Sequence, residues 1–166
     1  MNLEITPETR ASWQVPAFQT PLWLGQRHPW CVVIPVINEG KRISALLDRM
    51  TALGIGNLAD ILIVDGGSTD GSLNTAALQT QEVRGLLVKT GPGKLSAQLR
   101  CAYAFALEQG YTGIVTIDGN NKDDPAAIPP FIHALQDGVD FVQGARYIPG
   151  GVGENTPRLR ELAIRW

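Results

Sequence analysis

Asp60-Ile61-Leu62-Ile63-Val64-Asp65-Gly66-Gly67-Ser68-Thr69-Asp70-Gly71 is the stretch on which the fold turns. Four consecutive branched apolar residues between two aspartates, with no alternation, read as a short strand buried on both faces, the mark of a parallel sheet. The Gly-Gly-Ser-Thr-Asp-Gly cluster that follows is a turn, and Asp70 is placed to cap a helix.

Working outward, the same grammar recurs. Upstream, Cys31 to Ile37 is a second β-branched run ending at Asn38-Glu39-Gly40, and residues 42–53 read as a helix with Ile43, Leu46, Leu47 and Met50 on one face. Downstream, Leu86 to Val88 predicts a strand. Gly91-Pro92-Gly93 then breaks the chain before a helix over 94–109, which offers Leu95, Leu99, Ala102 and Ala106 for packing and stops at Gly110. Residues 113–118 form a further strand and 119–124 a polar loop. Pro125 opens a helix to Leu135, and Asp140 to Gly144 reads as a fifth strand. Strands separated by helices imply an α/β fold of parallel βαβ units with right-handed crossovers, whose ligands bind beyond the carboxyl ends of the strands.

The flanks differ. Residues 1–30 are rich in Pro, Thr, Gln and Trp without a sustained period and read as an irregular arm; Trp13, Trp23 and Trp30 are expected to pack on the core or on a neighbouring subunit, which leaves a homo-oligomer open. Residues 149–157 read as a loop, and Arg158 to Trp166 as an amphipathic helix with no stop signal, exposing Leu159, Leu162 and Trp166. The 166 residues, 44% hydrophobic and 18% charged, suit one core and argue against disorder. A formal net charge of -2 gives no global field to collect nucleic acid. No apolar run approaches the ~20 residues of a membrane helix, and the amino terminus lacks a secretory pattern, so a cytoplasmic location is expected. Cys31 and Cys101 have neither metal-ligand spacing nor disulfide density and read as reduced core residues.

The chemistry gathers at the strand ends: Glu39 after the first, Asp65 after the second, and Asp118, Asn120, Asp123 and Asp124 after the fourth. Carboxylates in such a crevice can accept hydrogen bonds from a base or ribose, or supply oxygen ligands to a hard cation that bridges phosphates. Asp70 and Asp124 read as ordinary turn and cap residues, because helix starts favour acids whatever the function. Asp65 and Asp118, each the last residue of an apolar strand, read as facing a ligand. Lys94, after Gly91-Pro92-Gly93, can bring an ammonium to phosphate at a helix start, although a mere loop fits that segment equally well. Neither the P-loop pattern nor Gly-x-Gly-x-x-Gly is present. His28 and His133 are isolated and read as structural or surface residues.

Cys31-Val-Val-Ile-Pro-Val-Ile-Asn-Glu39, Ile63-Val-Asp65-Gly-Gly-Ser-Thr-Asp-Gly71, Thr116-Ile-Asp118-Gly-Asn120-Asn-Lys-Asp-Asp-Pro125 and Val142-Gln-Gly-Ala-Arg146-Tyr147, in that order, resemble family 2 glycosyltransferases, and within them the polyprenol- and dolichol-phosphate sugar transferases. The resemblance covers about residues 31–151. It implies a GT-A (Rossmann-like) sheet of mainly parallel strands with helices on both faces, and a nucleoside-diphosphate sugar bound with Mg²⁺ or Mn²⁺. By the family pattern Pro35, Val36 and Glu39 line the nucleotide pocket, Asp65 holds the base, Asp118 and Asn120 occupy the two ends of the Asp-x-Asp metal motif, Lys122 lies near the diphosphate and Arg146 faces sugar or phosphate. The sequence departs from that pattern at Gly66, where a second Asp is frequent, and at Asn120, where Asp is usual. An amide oxygen is a weaker partner for a hard cation than a carboxylate, which makes Asp123 a further candidate.

These readings converge on residues 31–166 as a nucleotide-sugar-binding glycosyltransferase domain, incomplete at its carboxyl end. It is expected to move a sugar to a polyprenyl-phosphate or glycan acceptor at the inner face of a membrane, without an identifiable catalytic base. Two rivals stand beside it: a non-catalytic nucleotide-sugar-binding module, and a sugar nucleotidyltransferase, whose basic Gly-rich loop after the first strand Asn38-Glu39-Gly40-Lys41 imitates poorly.

Overall fold

A computed structural model describes residues 6–145. The elements are α1 (Pro7–Ser12), β1 (Phe18–Trp23), β2 (Trp30–Val36), α2 (Lys41–Ala52), β3 (Asp60–Asp65), α3 (Thr75–Thr80), β4 (Val83–Lys89), α4 (Leu95–Gln109), β5 (Gly113–Thr116) and α5 (Ile128–Gln136), with single 3₁₀ turns at Ile55–Asn57 and Pro125–Ala127. The sheet order is β1-β4-β3-β2-β5. β2 pairs in parallel with both β3 and β5, β3 pairs in parallel with β4, and only β1 runs antiparallel, against β4. The sheet is therefore mainly parallel, as expected, with β3 at its centre between β4 and β2.

Each central strand is apolar on both sides because each side is covered. Cys31, Val33, Leu62, Val64 and Leu87 meet Cys101, Ala102, Phe105 and Ala106 of α4. Strand alternation sends Val32, Ile34, Ile61 and Ile63 to the opposite face, where right-handed crossovers put α2 and α3. The α2 stripe is the expected one, with Ile43, Leu46, Leu47 and Met50 buried. On α4, Leu95 is 50% exposed because it opens the helix, and Ala97, Cys101 and Phe105 take up the packing instead. Gly110, at φ 89°, ends α4 in the left-handed region that favours glycine.

Two expectations are corrected. The segment before residue 30 is not irregular: it contributes α1 and the edge strand β1. Pro21 is tolerated there because β1 is an edge, and the ladder is irregular between Gln19 and Leu22. Trp23 and Phe18 stack edge-to-face on Phe105 with centroids at 5.0 and 6.4 Å, so the packing role expected of Trp23 is met within this chain. Gly85 of β4 makes the space, since a Cβ there would stand 3.2 Å from the Trp23 ring and 2.9 Å from Leu62. Residues 140–144, expected to form the fifth strand, are irregular, and Phe141 is 78% exposed. A strand needs a neighbour for its N–H and C=O groups, and this segment has none among the described residues. The expected 149–157 loop, the 158–166 helix and Arg146 lie outside the described residues.

The amino end of the sheet is closed around Asp60, which is fully buried. Its Oδ2 accepts from the backbone N–H of Arg27 at 2.7 Å, that of His28 at 3.1 Å and the Tyr111 hydroxyl at 2.8 Å. Its Oδ1 accepts no hydrogen bond and faces the guanidinium groups of Arg84 at 3.8 Å and Arg27 at 4.0 Å. His28 is structural here, as expected. Burial, reinforced by the Asp60 carboxylate, pushes the Tyr111 phenol and the Cys31 thiol well above their ordinary ranges, and burial raises Cys101 too. Both cysteines are free, buried and held as thiols, which removes them as nucleophiles. No helix of the described residues is long and apolar enough to cross a membrane.

Candidate active site

The opposite, carboxyl end of the sheet carries three acid-bearing loops, after β2, β3 and β5, beside the loop between β4 and α4. The first two are laced into one wall. Asn38 N–H donates to Ser68 Oγ at 2.9 Å, Thr69 N–H donates to Asn38 Oδ1 at 2.8 Å, and Gly40 N–H donates to Asp70 Oδ2 at 2.8 Å. Asn38 manages this at φ 51°, a left-handed conformation that asparagine adopts more readily than most residues. Asp70 does not cap a helix: α3 starts later and is capped by Asn74. Gly71, at φ 73°, turns the chain away, and Asp70 instead accepts from Ser72 N–H and Oγ at 3.0 and 2.7 Å. Those bonds hold its carboxyl below the usual carboxylate range.

Asp65 ends β3 and is 5% exposed. Its Oδ1 accepts from Gly67 N–H at 3.1 Å, Ser68 N–H at 2.8 Å and Ser68 Oγ at 2.6 Å, whereas Oδ2 has only a second, 3.1 Å bond from Ser68 N–H. The turn thus fixes one oxygen and leaves lone pairs on the other. Pro35 and Val36 are buried at the end of β2, so their contribution to a pocket is chiefly backbone. Glu39 is half-buried and its Oε2 lies 2.8 Å from Arg42, one helical turn on, without hydrogen-bond alignment.

The third loop follows β5. Its entry is tight, because a Cβ on Gly119 would stand 2.9 Å from Pro35 O and 3.0 Å from Val36. Asp118 is exposed, and its Oδ2 accepts from Asn120 Nδ2 at 3.2 Å, while Asn120 Oδ1 accepts from Lys122 N–H at 3.0 Å. Asp118 and Asn120, the two residues that the resemblance pairs, are therefore in direct contact. Asp124 is the expected cap, accepting from Ala126 N–H ahead of Pro125. Lys94 and Lys122 are exposed, Lys94 at the start of α4. Part of the loop before Lys94 is already committed, since Thr90 and Gly91 N–H groups both donate to Ala17 O at 2.8 Å.

Three further residues organise the rim, of which Asn38 was already marked by its place with Glu39 after the first strand. Asn38 and Ser68 join the first two loops, and Arg49 of α2 holds the third, donating to Asn121 Oδ1 and Asp124 Oδ1 at 2.9 Å each. Only the positive φ of Asn38 has a local signal; the others depend on partners remote in the chain.

Among the described residues no group of three or more His, Cys, Asp or Glu side chains could hold a metal, and no cation is ion-paired with Asp65 or Asp118. What the start of the third loop offers a cation is the Asp118 carboxylate with the Asn120 amide beside it. That is too few ligands for a dedicated protein cage, and it suits a hard cation such as Mg²⁺ or Mn²⁺ that takes its remaining oxygens from a phosphate-bearing substrate and water. The donor set fits the group in that sense.

The sequence model of glycosyl transferase family 2 matches residues 31–166. The chain is similar to a polyprenol monophosphomannose synthase of Mycolicibacterium smegmatis, 28% identical over 132 residues that cover 78% of this chain and 49% of the relative. It is also similar to an undecaprenyl-phosphate mannosyltransferase of Micrococcus luteus, 29% identical over 137 residues that cover 81% and 54%. The chain spans about half the length of these curated relatives. Among solved structures it is similar to a glucosyl-3-phosphoglycerate synthase of Mycobacterium tuberculosis in complex with Mn²⁺, UDP and phosphoglyceric acid, with a TM-score of 0.46, 21% identity, and coverage of 78% of this chain and 43% of that one.

Proposed function

This chain belongs to glycosyl transferase family 2, and from that premise we propose that its rim binds a nucleoside-diphosphate sugar with Mg²⁺ or Mn²⁺, for transfer of the sugar to a polyprenyl phosphate. The observation that carries the reading is Asp118: a carboxylate exposed two residues beyond the end of β5, joined to Asn120 at 3.2 Å and ion-paired with no cation of the described residues. The contrast with Asp60, which faces two guanidinium groups, supports a ligand for Asp118.

In this reading Asp118 and Asn120 hold the cation, which when bound supplies charge stabilisation to the departing diphosphate. Lys94 and Lys122, both exposed near the rim loops, add positive charge toward the same group, and Arg146 is assigned to sugar or phosphate. Asp65 presents Oδ2 to the base from a turn that its Oδ1 has already fixed, so orientation is set before the ligand arrives. Pro35, Val36 and Glu39 form the floor between them. An acceptor that is itself an anionic phosphate needs no general base, and such an acceptor also brings the chain to a membrane face.

The test is thermal: UDP or GDP, each with Mn²⁺, raises the melting temperature of the wild type, and Asp118→Ala removes the shift. If neither nucleotide nor its sugars moves the wild-type transition, the proposal is wrong.

A further inference from the structure

One polar side chain is buried in the layer between α4 and the sheet. Gln98 is 4% exposed, and its helix neighbours Ala97, Cys101 and Ala102 are apolar and buried as well. Its Nε2 donates to Val36 O at 2.9 Å and to Val64 O at 3.0 Å. Both amide protons are thus spent on carbonyls of two adjacent strands, at the end where the candidate site lies. A buried amide in an apolar layer is costly unless its hydrogen bonds are made, so the side chain is held in one orientation.

Gly66 is shaped to this arrangement. Its N–H donates to Val36 O at 2.8 Å, the same carbonyl that Gln98 uses. A Cβ at this position would stand 3.0 Å from Gln98 Cδ and Nε2 and 3.2 Å from Oε1, tighter than ordinary contact on every atom of the amide. A side chain at residue 66 therefore requires Gln98 to give way by a few tenths of an ångström from the position in which it reaches the two strands. From Gly66 the chain enters the turn whose Gly67 and Ser68 N–H groups fix the Asp65 carboxylate.

We infer that Gln98 and Gly66 are a matched pair that sets the spacing of the β2 and β3 ends, and that Gln98 is a positioning residue acting through the Asp65 turn. The link to nucleotide recognition rests on the proposed function; the link to the turn does not. Gln98→Met keeps the bulk of the side chain and removes both donors, and Gly66→Ala drives a methyl into the amide.

Hydrogen exchange at the Gly67 and Ser68 amides reads the turn directly, with the Arg27 and His28 amides at the Asp60 end as internal reference. Gln98→Met is expected to speed exchange at 67 and 68 roughly tenfold, the worth of one or two lost hydrogen bonds, while 27 and 28 hold their rates. It is expected to raise the Kd for UDP or GDP with Mn²⁺ by a similar factor. Gly66→Ala should do the same from the other side, and is read alone if Gln98→Met does not fold. In a Gln98→Ala background Gly66→Ala should cost clearly less than in the wild type, because the clash is gone. Unchanged exchange at 67 and 68, equal acceleration at all four amides, or additive effects in the double variant would overturn the pairing. Should the wild type bind neither nucleotide, the proposed function fails while exchange and additivity still decide the pair.

Discussion

Asp60 and Asp65 begin and end the same strand, both buried, and are used in opposite ways. At the amino end the fold brings two backbone N–H groups, a phenol and two guanidinium groups to one carboxylate. At the carboxyl end, among the described residues, Asp65 receives only the donors of its own turn and Asp118 across the rim receives only an amide. A buried carboxylate without a counter-charge is expensive, so the amino end is structural and closed. In the function proposed above, the carboxyl end is completed by a ligand.

The strongest way to break this contrast is to remove one acid from each end. Asp60→Ala leaves two guanidinium groups and three donors facing nothing and is expected to cost about 3–5 kcal/mol in urea denaturation, with Asp60→Asn as a milder version if the alanine variant does not fold. Asp118→Ala, exposed and without a cation partner, should stay within about 0.5 kcal/mol of wild type and lose nucleotide binding instead. Comparable destabilisation by both would show that the two ends are not divided as we describe.

A finer test lies within the closed end. Tyr111→Phe deletes one donor to Asp60 and is expected to cost about 1–3 kcal/mol near neutral pH. Burial, then the hydrogen bond to Asp60, raises the phenol in the folded state above its unfolded value. Its contribution is therefore fully present below about pH 10, where an unfolded tyrosine ionises, and is lost as pH rises beyond that. Wild-type stability should fall more steeply than that of Tyr111→Phe between pH 9 and 11, measured by denaturation at each pH. Parallel curves would mean that the phenol ionises as freely in the fold as outside it.

The same contrast explains what the sequence made legible. β2 and β3 declared themselves because a strand buried on both faces is apolar at every position, and Asp65 and Asp118 stood out because a carboxylate at the end of such a run has no core to join. β1 was hidden: an edge strand with exposed Gln19, Thr20 and Pro21 has the composition of a loop, and its distinguishing partner, Gly85 against Trp23, is remote in the chain. Residues 140–144 failed in the converse way, since Phe141 and Val142 supply strand propensity but not a strand to pair with. Gln98 was unreadable as a site residue for a related reason. Within a helix it is an ordinary good helix former, and its meaning comes from Val36, Val64 and Gly66, which no helical period reveals.

Arg49 gives the smallest and most selective test of the open end. It reaches from α2 to Asn121 and Asp124, tying down the loop that begins with Asp118 and Asn120, but it does so at the surface, with its side chain 45% and that of Asp124 69% exposed. An exposed pair of this kind is worth only about 0.2–1 kcal/mol, so Arg49→Ala should barely move the denaturation midpoint. The loop it releases, however, is the one assigned to the cation. Affinity for UDP or GDP with Mn²⁺ should therefore fall by a few-fold, and by more at low Mn²⁺ than at saturating Mn²⁺, because added cation offsets a poorly ordered Asp118–Asn120 pair. A loss of affinity that is the same at all Mn²⁺ concentrations would place the effect of Arg49 on the nucleotide and not on the metal-facing loop. That result would move the boundary between the structural and the open parts of the rim to the far side of Asn121.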